Sequence, residues 1–445
     1  MIPYYIALNF FESILKLNGY PIQEAKKQLA EIQNIPENEY EAHIFKQRKS
    51  IVEYHLKHNS FYKSFLGSSS TEKWEDIPIM RKKDLQIPLK DRISQGFNIK
   101  KCYVSKTSGS SGTPLVFAKD KYCHALTWAG IIDRFGWFSI DFNHSYQARF
   151  YGIPLSFFAY QKERLKDRLS HRFRFPIFDL SEKKLEEFLS VFRKKKFFFI
   201  NGHTSSIVLF AKYLKEKKLI LTDVCPSLKY CVVTSEMLYD SDKKLLQEIL
   251  NVPIINEYGA SEIDLIAFTN SKDEFIVNSE TLFVEILDEE NNSVPNGEVG
   301  KVVITSLYNK AQPLIRYEVG DAGILSPKGT LKTPILQELV GRSNDIAYLP
   351  SGKTVPGHTL YYVTKSVIED DGNVKEFIVE QLTLETFKII YVSDTELQKE
   401  QINTIHKAMT QYLEEGLSIQ LEKVAVLDRS NRGKLKQFTS NIEQK

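Results

Sequence analysis

Along the first 75 positions apolar residues recur every three or four places. EAKKQLAEIQ and EAHIFKQRKSIVEYHLKHNSFYKSFL both follow this spacing, which predicts helices. Asp76-Ile77-Pro78 interrupts the pattern. From about residue 100 to 340, short β-branched and aromatic runs alternate with amphipathic stretches. KKFFFING, SLKYCVVTS, VPIINEYG and GKVVITSL read as strands, and SSIVLFAKYLKEKK and SDKKLLQEIL, between the first three, read as helices. Strand, helix, strand, helix, strand predicts a parallel α/β sheet. After about 270 the pattern turns to hairpins, with TLFVEIL and GKVVITSL flanking a turn rich in Asn, Pro and Gly. EFIVEQLTLETFKIIYVS, QKEQINTIHKAMTQYLEE and LSIQLEKVAVLD then give strands, a helix and a further strand. The fold class expected is α/β. A large N-terminal domain (1–341, opening with a helical segment, 1–75) combines parallel or mixed sheets, helices and a hairpin-rich part. A small mobile α+β lid (342–445) follows.

The N-terminal stretch MIPYYIALNFFESILKLNGY is apolar but lacks a basic start, and Glu12 and Lys16 interrupt it. Leu8, Phe11, Leu15 and Leu17 suggest a helix packed on its own domain. No run of about 18 uncharged apolar residues occurs, so no transmembrane helix is expected. Four cysteines in 445 residues, none in a C-x-x-C pair, read as buried small hydrophobes and suit a reducing cytoplasm. The hydrophobic share of 42% and charged share of 26% exclude a disordered tail, a collagen-like fibre or a disulfide scaffold. Lys plus Arg is 59 and Asp plus Glu is 56, and a formal charge of +3 makes no case for nucleic acid. The sequence does not give the oligomeric state; a homodimer is one option, since dimers are common among soluble proteins.

The densest chemical signal is Thr107-Ser108-Gly109-Ser110-Ser111-Gly112-Thr113-Pro114, after the probable strand KKCYVSK. Glycine lets backbone N–H groups approach an anion, and hydroxyls add donors; a solvated turn is the competing reading. It is not a Walker loop, because no Lys follows Gly112. Ser351-Gly352-Lys353-Thr354 only imitates the end of one, since Ala347 stands at the required upstream glycine, so a hairpin turn is expected there. Asn256-Glu257-Tyr258-Gly259-Ala260-Ser261-Glu262 follows a strand, at the edge where open α/β sheets bind ligands. A tyrosine there suits stacking on a base, and a glutamate suits Mg²⁺. Arg316-Tyr317-Glu318-Val319-Gly320-Asp321 ends in an acid fit to accept from ribose hydroxyls. Gly341-Arg342-Ser343-Asn344-Asp345 opens the last module, and Arg432-Gly433-Lys434-Leu435-Lys436 lies near the C-terminus.

In this order the pieces resemble the adenylate-forming superfamily of acyl-CoA synthetases, luciferases and peptide-synthetase adenylation domains. The likeness is greatest to the phenylacetate–CoA ligase-like branch, with its relatives in capsule and surface-polysaccharide biosynthesis. NSFYKSFL followed by WEDIPIMRKKDL is similar to that branch's opening, and NGHTSSIVLFAKYL and VVTSEML to its central segments. The resemblance implies that Thr107–Thr113 hold the ATP phosphates, with Ser261 on the α-phosphate. Ser235, Glu236, Glu257, Tyr258 and Gly259 would frame adenine, with Tyr258 stacking. Asp321 would grip the ribose, with Arg342 nearby. Glu262 would bind Mg²⁺, Lys434 (with Lys436 a rival) would stabilise the adenylation transition state, and Asn344 would be the hinge. His203, Phe157 and Ala260 are candidates for the acid pocket, although a lone histidine is more often a core residue. Departures are Leu115, where many members carry Lys, Ser261 for the usual Thr, and uncharged Asn344 for the usual Asp. The activity implied is ATP-dependent, AMP-forming carboxylate ligation with coenzyme A or an amine as acceptor. The rival reading is a non-catalytic nucleotide-binding scaffold of the same fold.

Overall fold

A computed structural model of the chain describes residues 10–107, 115–152, 157–177, 179–342, 346–356, 360, 374–393, 395–425, 427 and 438–442. Two compact units divide the chain: Met1–Val319 with Ile324–Glu338, and Gly320–Gly323 with Leu339–Lys445.

The first unit opens with helices α1 (Phe10–Leu17), α2 (Ile22–Gln33), α3 (Glu37–His58) and α4 (Ser60–Leu66). Ile22, Ala25 and Leu29 bury one stripe of α2 against Ala125, Leu126 and Ala129 of α5 (Lys121–Gly136). Helix α1 buries Leu15, whereas Leu17 is exposed. Two residues at 100° each turn Leu17 about 200° away from Leu15, so only one of the pair faces the domain. Between α4 and α5 run four short 3-10 turns and an antiparallel hairpin of β1 (Tyr103–Lys106) and β2 (Val116–Lys119).

The central sheet is built from β3 (Gln147–Phe150), α6 (Phe157–Leu169), β4 (Arg172–Phe175), α7 (Glu182–Lys194), β5 (Phe199–His203), α8 (Thr204–Glu216), α9 (Leu221–Val224), β6 (Tyr230–Thr234), α10 (Asp240–Leu250) and β7 (Ile254–Ala260). Then β8 (Asp264–Thr269) and β9 (Phe275–Val277) follow, and the seven strands lie in the order β4-β3-β5-β6-β7-β8-β9. The first five are parallel, as the alternating sequence predicts, and the last two are antiparallel. One face carries Phe150, Phe175, Ile200, Cys231 and Val233 into a large aromatic core with α7, α8 and α10. The other face buries Phe199, Val232 and Ile255 against Phe135 and Phe138. A second sheet joins β10 (Leu282–Leu287), β11 (Val299–Ser306), β12 (Tyr317–Leu325) and β13 (Leu336–Arg342), with β10 and β11 forming the expected hairpin.

The second unit holds a hairpin of β14 (Ile346–Tyr348) and β15 (Thr354–Pro356), whose turn places Gly352 at φ +83°. The Ser351-Gly352-Lys353-Thr354 decoy is therefore a hairpin turn, not a phosphate loop. Strands β16 (Val374–Gln381) and β17 (Thr386–Ser393), helix α11 (Lys399–Tyr412), and strands β18 (Ser418–Val424) and β19 (Phe438–Ser440) complete it, with sheet order β18-β17-β16-β19. Gln381, fully buried, accepts from the Tyr348 N–H at 3.2 Å and from the Ser440 hydroxyl at 2.9 Å, and donates to the Tyr348 carbonyl at 2.5 Å. All four cysteines are free thiols, three of them buried. Among the described residues, no helix is long and apolar enough to cross a membrane.

Candidate functional site

The alternation of side chains along a strand explains the site. On one sheet face, Phe199, Val232 and Ile255 are apolar and packed, and the next same-face positions toward the carboxyl ends are polar. They form a row in which His203 of β5 is paired with Thr234 of β6, and Thr234 with Glu257 of β7. A second row runs Arg174, Arg149, Asn201 across β4, β3 and β5. Parallel sheets bind ligands at this edge because loops and helix starts open there.

His203 is buried, and its Nδ1 lies 3.7 Å from Glu236 Oε1, an ion-pair separation longer than a hydrogen bond. Glu236 Oε2 accepts from the Ser205 N–H at 2.7 Å, at the start of α8. Burial alone pushes the Glu236 carboxyl up, but His203 and the Ser205 N–H outweigh it and hold the group below the usual range. Burial pushes the Glu257 carboxyl up, only partly opposed by a hydrogen bond from Thr234 and by the Arg149 charge. Tyr151, just past β3, packs edge-on against the His203 ring with centroids 4.9 Å apart and hydrogen-bonds Ser235. Ser235 is exposed and sits at φ +73°, a left-handed backbone that non-glycine residues seldom adopt and that is found at functional turns.

Strand β7 runs on through Glu257, Tyr258, Gly259 and Ala260 before reversing tightly into β8. Tyr258 is 8% exposed and Ser261 is exposed in the turn. Glu262 is buried, with Oε1 accepting from the Tyr317 hydroxyl at 2.9 Å. A Cβ on Gly259 would lie 2.5 Å from the Asp264 carbonyl oxygen, so this reversal admits only glycine without movement. Asp264 is tied to the buried Lys119 of β2 and accepts from the Thr127 hydroxyl at 2.9 Å.

Hairpin β1–β2 carries the Thr107–Pro114 loop. Thr107 N–H donates to the Leu115 carbonyl at 2.9 Å, and Leu115 N–H donates to Thr107 Oγ1 at 3.0 Å. Arg92 donates to the Val116 carbonyl at 2.7 Å and Asn309 to the Ala118 carbonyl at 3.0 Å, fixing β2. Ser108, Gly109, Ser110, Ser111, Gly112 and Thr113 lie outside the described residues, as do Asn344 and Lys434. Phe157 opens α6. In the second unit, Asp321 is a half-buried residue of β12 and Arg342 ends β13. Sequence reasoning missed Arg149, Tyr151, Asn201 and Thr234. Their signal is a polar residue at every second position ending an otherwise apolar strand.

No family model matches the chain. It is similar to the phenylacetate-coenzyme A ligase of Pseudomonas putida, at 24% identity over 40% of this chain and 38% of that protein. It is likewise similar to Protein CapK of Staphylococcus aureus, at 24% identity over 33% of this chain and 31% of that protein. The matched stretches thus span only about a third of the length of these curated relatives. Among solved structures, a 2-hydroxyisobutyryl-CoA ligase in its postadenylation state superposes with TM-score 0.69 at 16% identity, over 92% of this chain and 90% of that one. The curated relatives and the shared fold support the adenylate-forming superfamily and its phenylacetate–CoA ligase-like branch, as the sequence motifs imply.

Proposed function

We propose that this chain is an ATP-dependent, AMP-forming carboxylate ligase with a role in surface-polysaccharide biosynthesis. The observation that carries the reading is the conjunction, in one unit, of three parts. They are the pinned Gly- and Ser-rich hairpin loop, the polar row at the sheet's carboxyl edge, and the β7–β8 reversal carrying Ser261 and Glu262. In the reaction a carboxylate oxygen attacks the α-phosphorus of ATP, the bond to the β-phosphate oxygen breaks, and pyrophosphate leaves. The acyl-adenylate then yields its acyl group to the thiol of coenzyme A or to an amine, releasing AMP.

Thr107–Thr113 hold the departing phosphates through N–H and hydroxyl donors, and Ser261 lies on the α-phosphate side. Ser235, Glu236, Glu257, Tyr258 and Gly259 bound the adenine, and Asp321 and Arg342 serve the ribose. His203, Phe157 and Ala260 border the acid. Glu262 suits Mg²⁺, a cation that takes one or two carboxylates together with substrate phosphates. Among the described residues no cluster of three or more metal-ligating side chains competes with it, and Tyr317 orients its carboxylate. When bound, Mg²⁺ offsets the phosphate charge. Lys434 donates to the charge that builds during adenylation, and Asn344 is the hinge of the C-terminal lid.

Carboxylate-dependent ATP–pyrophosphate exchange across aryl, fatty, amino and uronic acids tests the reading. Exchange with one acid class supports it; ATP binding without exchange for any acid favours the scaffold. Lys434→Ala should lower exchange roughly 100- to 1,000-fold while ATP binding persists.

A further inference from the structure

Among the described residues, Arg149 makes no hydrogen bond or close ion pair with a carboxylate, although its charge is felt by Asp167 and Glu257. Its guanidinium stacks on the Tyr151 ring at 4.1 Å, and its Nε is enclosed without a hydrogen-bond acceptor. Arg134, Arg316 and Arg92 each also enclose one nitrogen without an acceptor, but the rest of their guanidinium is held, by Glu280, by Glu285, and by the carbonyls of Ile87 and Val116 respectively. Asp167, the carboxylate whose charge acts on Arg149, is already committed to other arginines, as is Glu163 beside it. Asp167 accepts from Arg172 at 2.6 Å and from Arg174 at 2.9 and 3.0 Å, and Glu163 from Arg174 at 2.9 Å and from Lys166 at 2.6 Å. Burial, with the Arg172 and Arg174 charges, pulls Arg149 down to about 10. A half-buried cation beside two like charges gains when an anion arrives. A guanidinium held flat on an aromatic ring presents its fork edge to such an anion.

Its position says which anion. From β3 to β7 there are three strand spacings, so roughly 14 Å separates the backbone of the strand carrying Arg149 from that of the strand leading to Ser261 and Glu262. The phosphates and the reacting carboxylate belong at that reversal. We propose that the acid activated by this chain carries a second anionic group, carboxylate or phosphate, remote from the reacting one, and that Arg149 binds it. The proposal rests on the ligase reading and narrows its substrate class.

The test is ATP–pyrophosphate exchange by the full chain on matched pairs of acids. In each pair a neutral monocarboxylate is set beside a homologue with a distal carboxylate, and beside one with a distal phosphate. The wild type should favour an anion-bearing member by roughly 10- to 100-fold in kcat/KM, the value of charge-assisted hydrogen bonds. Comparing the two anionic arms names the group. Arg149→Gln should erase that preference through KM for the acid, leaving the KM for ATP unchanged, and Arg149→Lys should retain part of it. A wild type that prefers neutral acids overturns the proposal while sustaining the ligase reading, and so does an unchanged preference in folded Arg149→Gln. Absence of exchange with every acid overturns both.

Discussion

Thr107 and Leu115 close the Gly- and Ser-rich loop upon itself through two hydrogen bonds, one backbone to backbone and one from the Leu115 N–H to the threonine hydroxyl. The two ends of the intervening segment are therefore held together.

Thr107→Val removes the acceptor of a buried N–H, since Leu115 is 1% exposed. Such an orphaned donor costs about 1–3 kcal/mol. Thr107→Val should raise the KM for ATP several-fold with little change in KM for the acid, and Thr107→Ser should restore it. Steady-state exchange kinetics read both.

Gly259→Ala forces a methyl against the Asp264 carbonyl, a backbone atom that cannot swing aside. Overpacking of this kind costs about 1–3 kcal/mol. The reversal carrying Ser261 and Glu262 must shift, so exchange should fall further than the melting temperature suggests. Thermal melts beside rates at saturating ATP and Mg²⁺ check this.

Arg134 donates to both Glu280 oxygens, at 2.8 and 2.6 Å, and to Asp133 at 2.7 Å, with Arg134 buried. Glu280→Ala removes the bidentate partner of that buried cation, leaving it Asp133 alone, and should destabilise the fold by about 3 kcal/mol. Replacing both residues with apolar ones of similar volume should recover much of the loss. Urea unfolding of the single and double variants measures the difference.

His55 is fully buried, 2.9 Å from the Asn309 carbonyl and 3.2 Å from the Ser94 hydroxyl. Burial lowers its pKa to about 4, so the folded state holds it neutral. The unfolded chain binds its proton more readily, so the contribution to stability is full above about pH 6.5 and is lost as pH falls toward 4. The total is of order 3 kcal/mol. His124, also lowered by burial to about 4, adds in the same direction. Urea midpoints at pH 7.5 and 5.0 should differ, and His55→Gln should shrink the gap.

The parallel core was legible because β5, β6 and β7 are apolar runs with amphipathic helices between them. Strands β3 and β4, QARF and RFRF, were not: four residues with glutamine or arginine at alternate positions look like a solvated polar stretch. Only the pairing of β3 with β5 shows that Arg149 stands beside Asn201. The adenylate-type motifs were legible as residue strings, yet His203, read as a candidate pocket residue or a core residue, proves to be both buried and beside Glu236. That pairing joins the end of β5 to the turn after β6, across more than 30 positions of sequence, which spacing alone does not reveal.

Each central strand is a graded element, greasy where it enters and hydrophilic where it leaves. Phe199, Val232 and Ile255 secure the scaffold, while His203, Thr234 and Glu257, two to four residues further on, line the polar carboxyl edge. Selectivity can drift at one end of a strand while the other end keeps the protein folded. A lineage built on this sheet can thus alter single side chains at the polar edge, a few ångströms downstream of the core, without renegotiating stability.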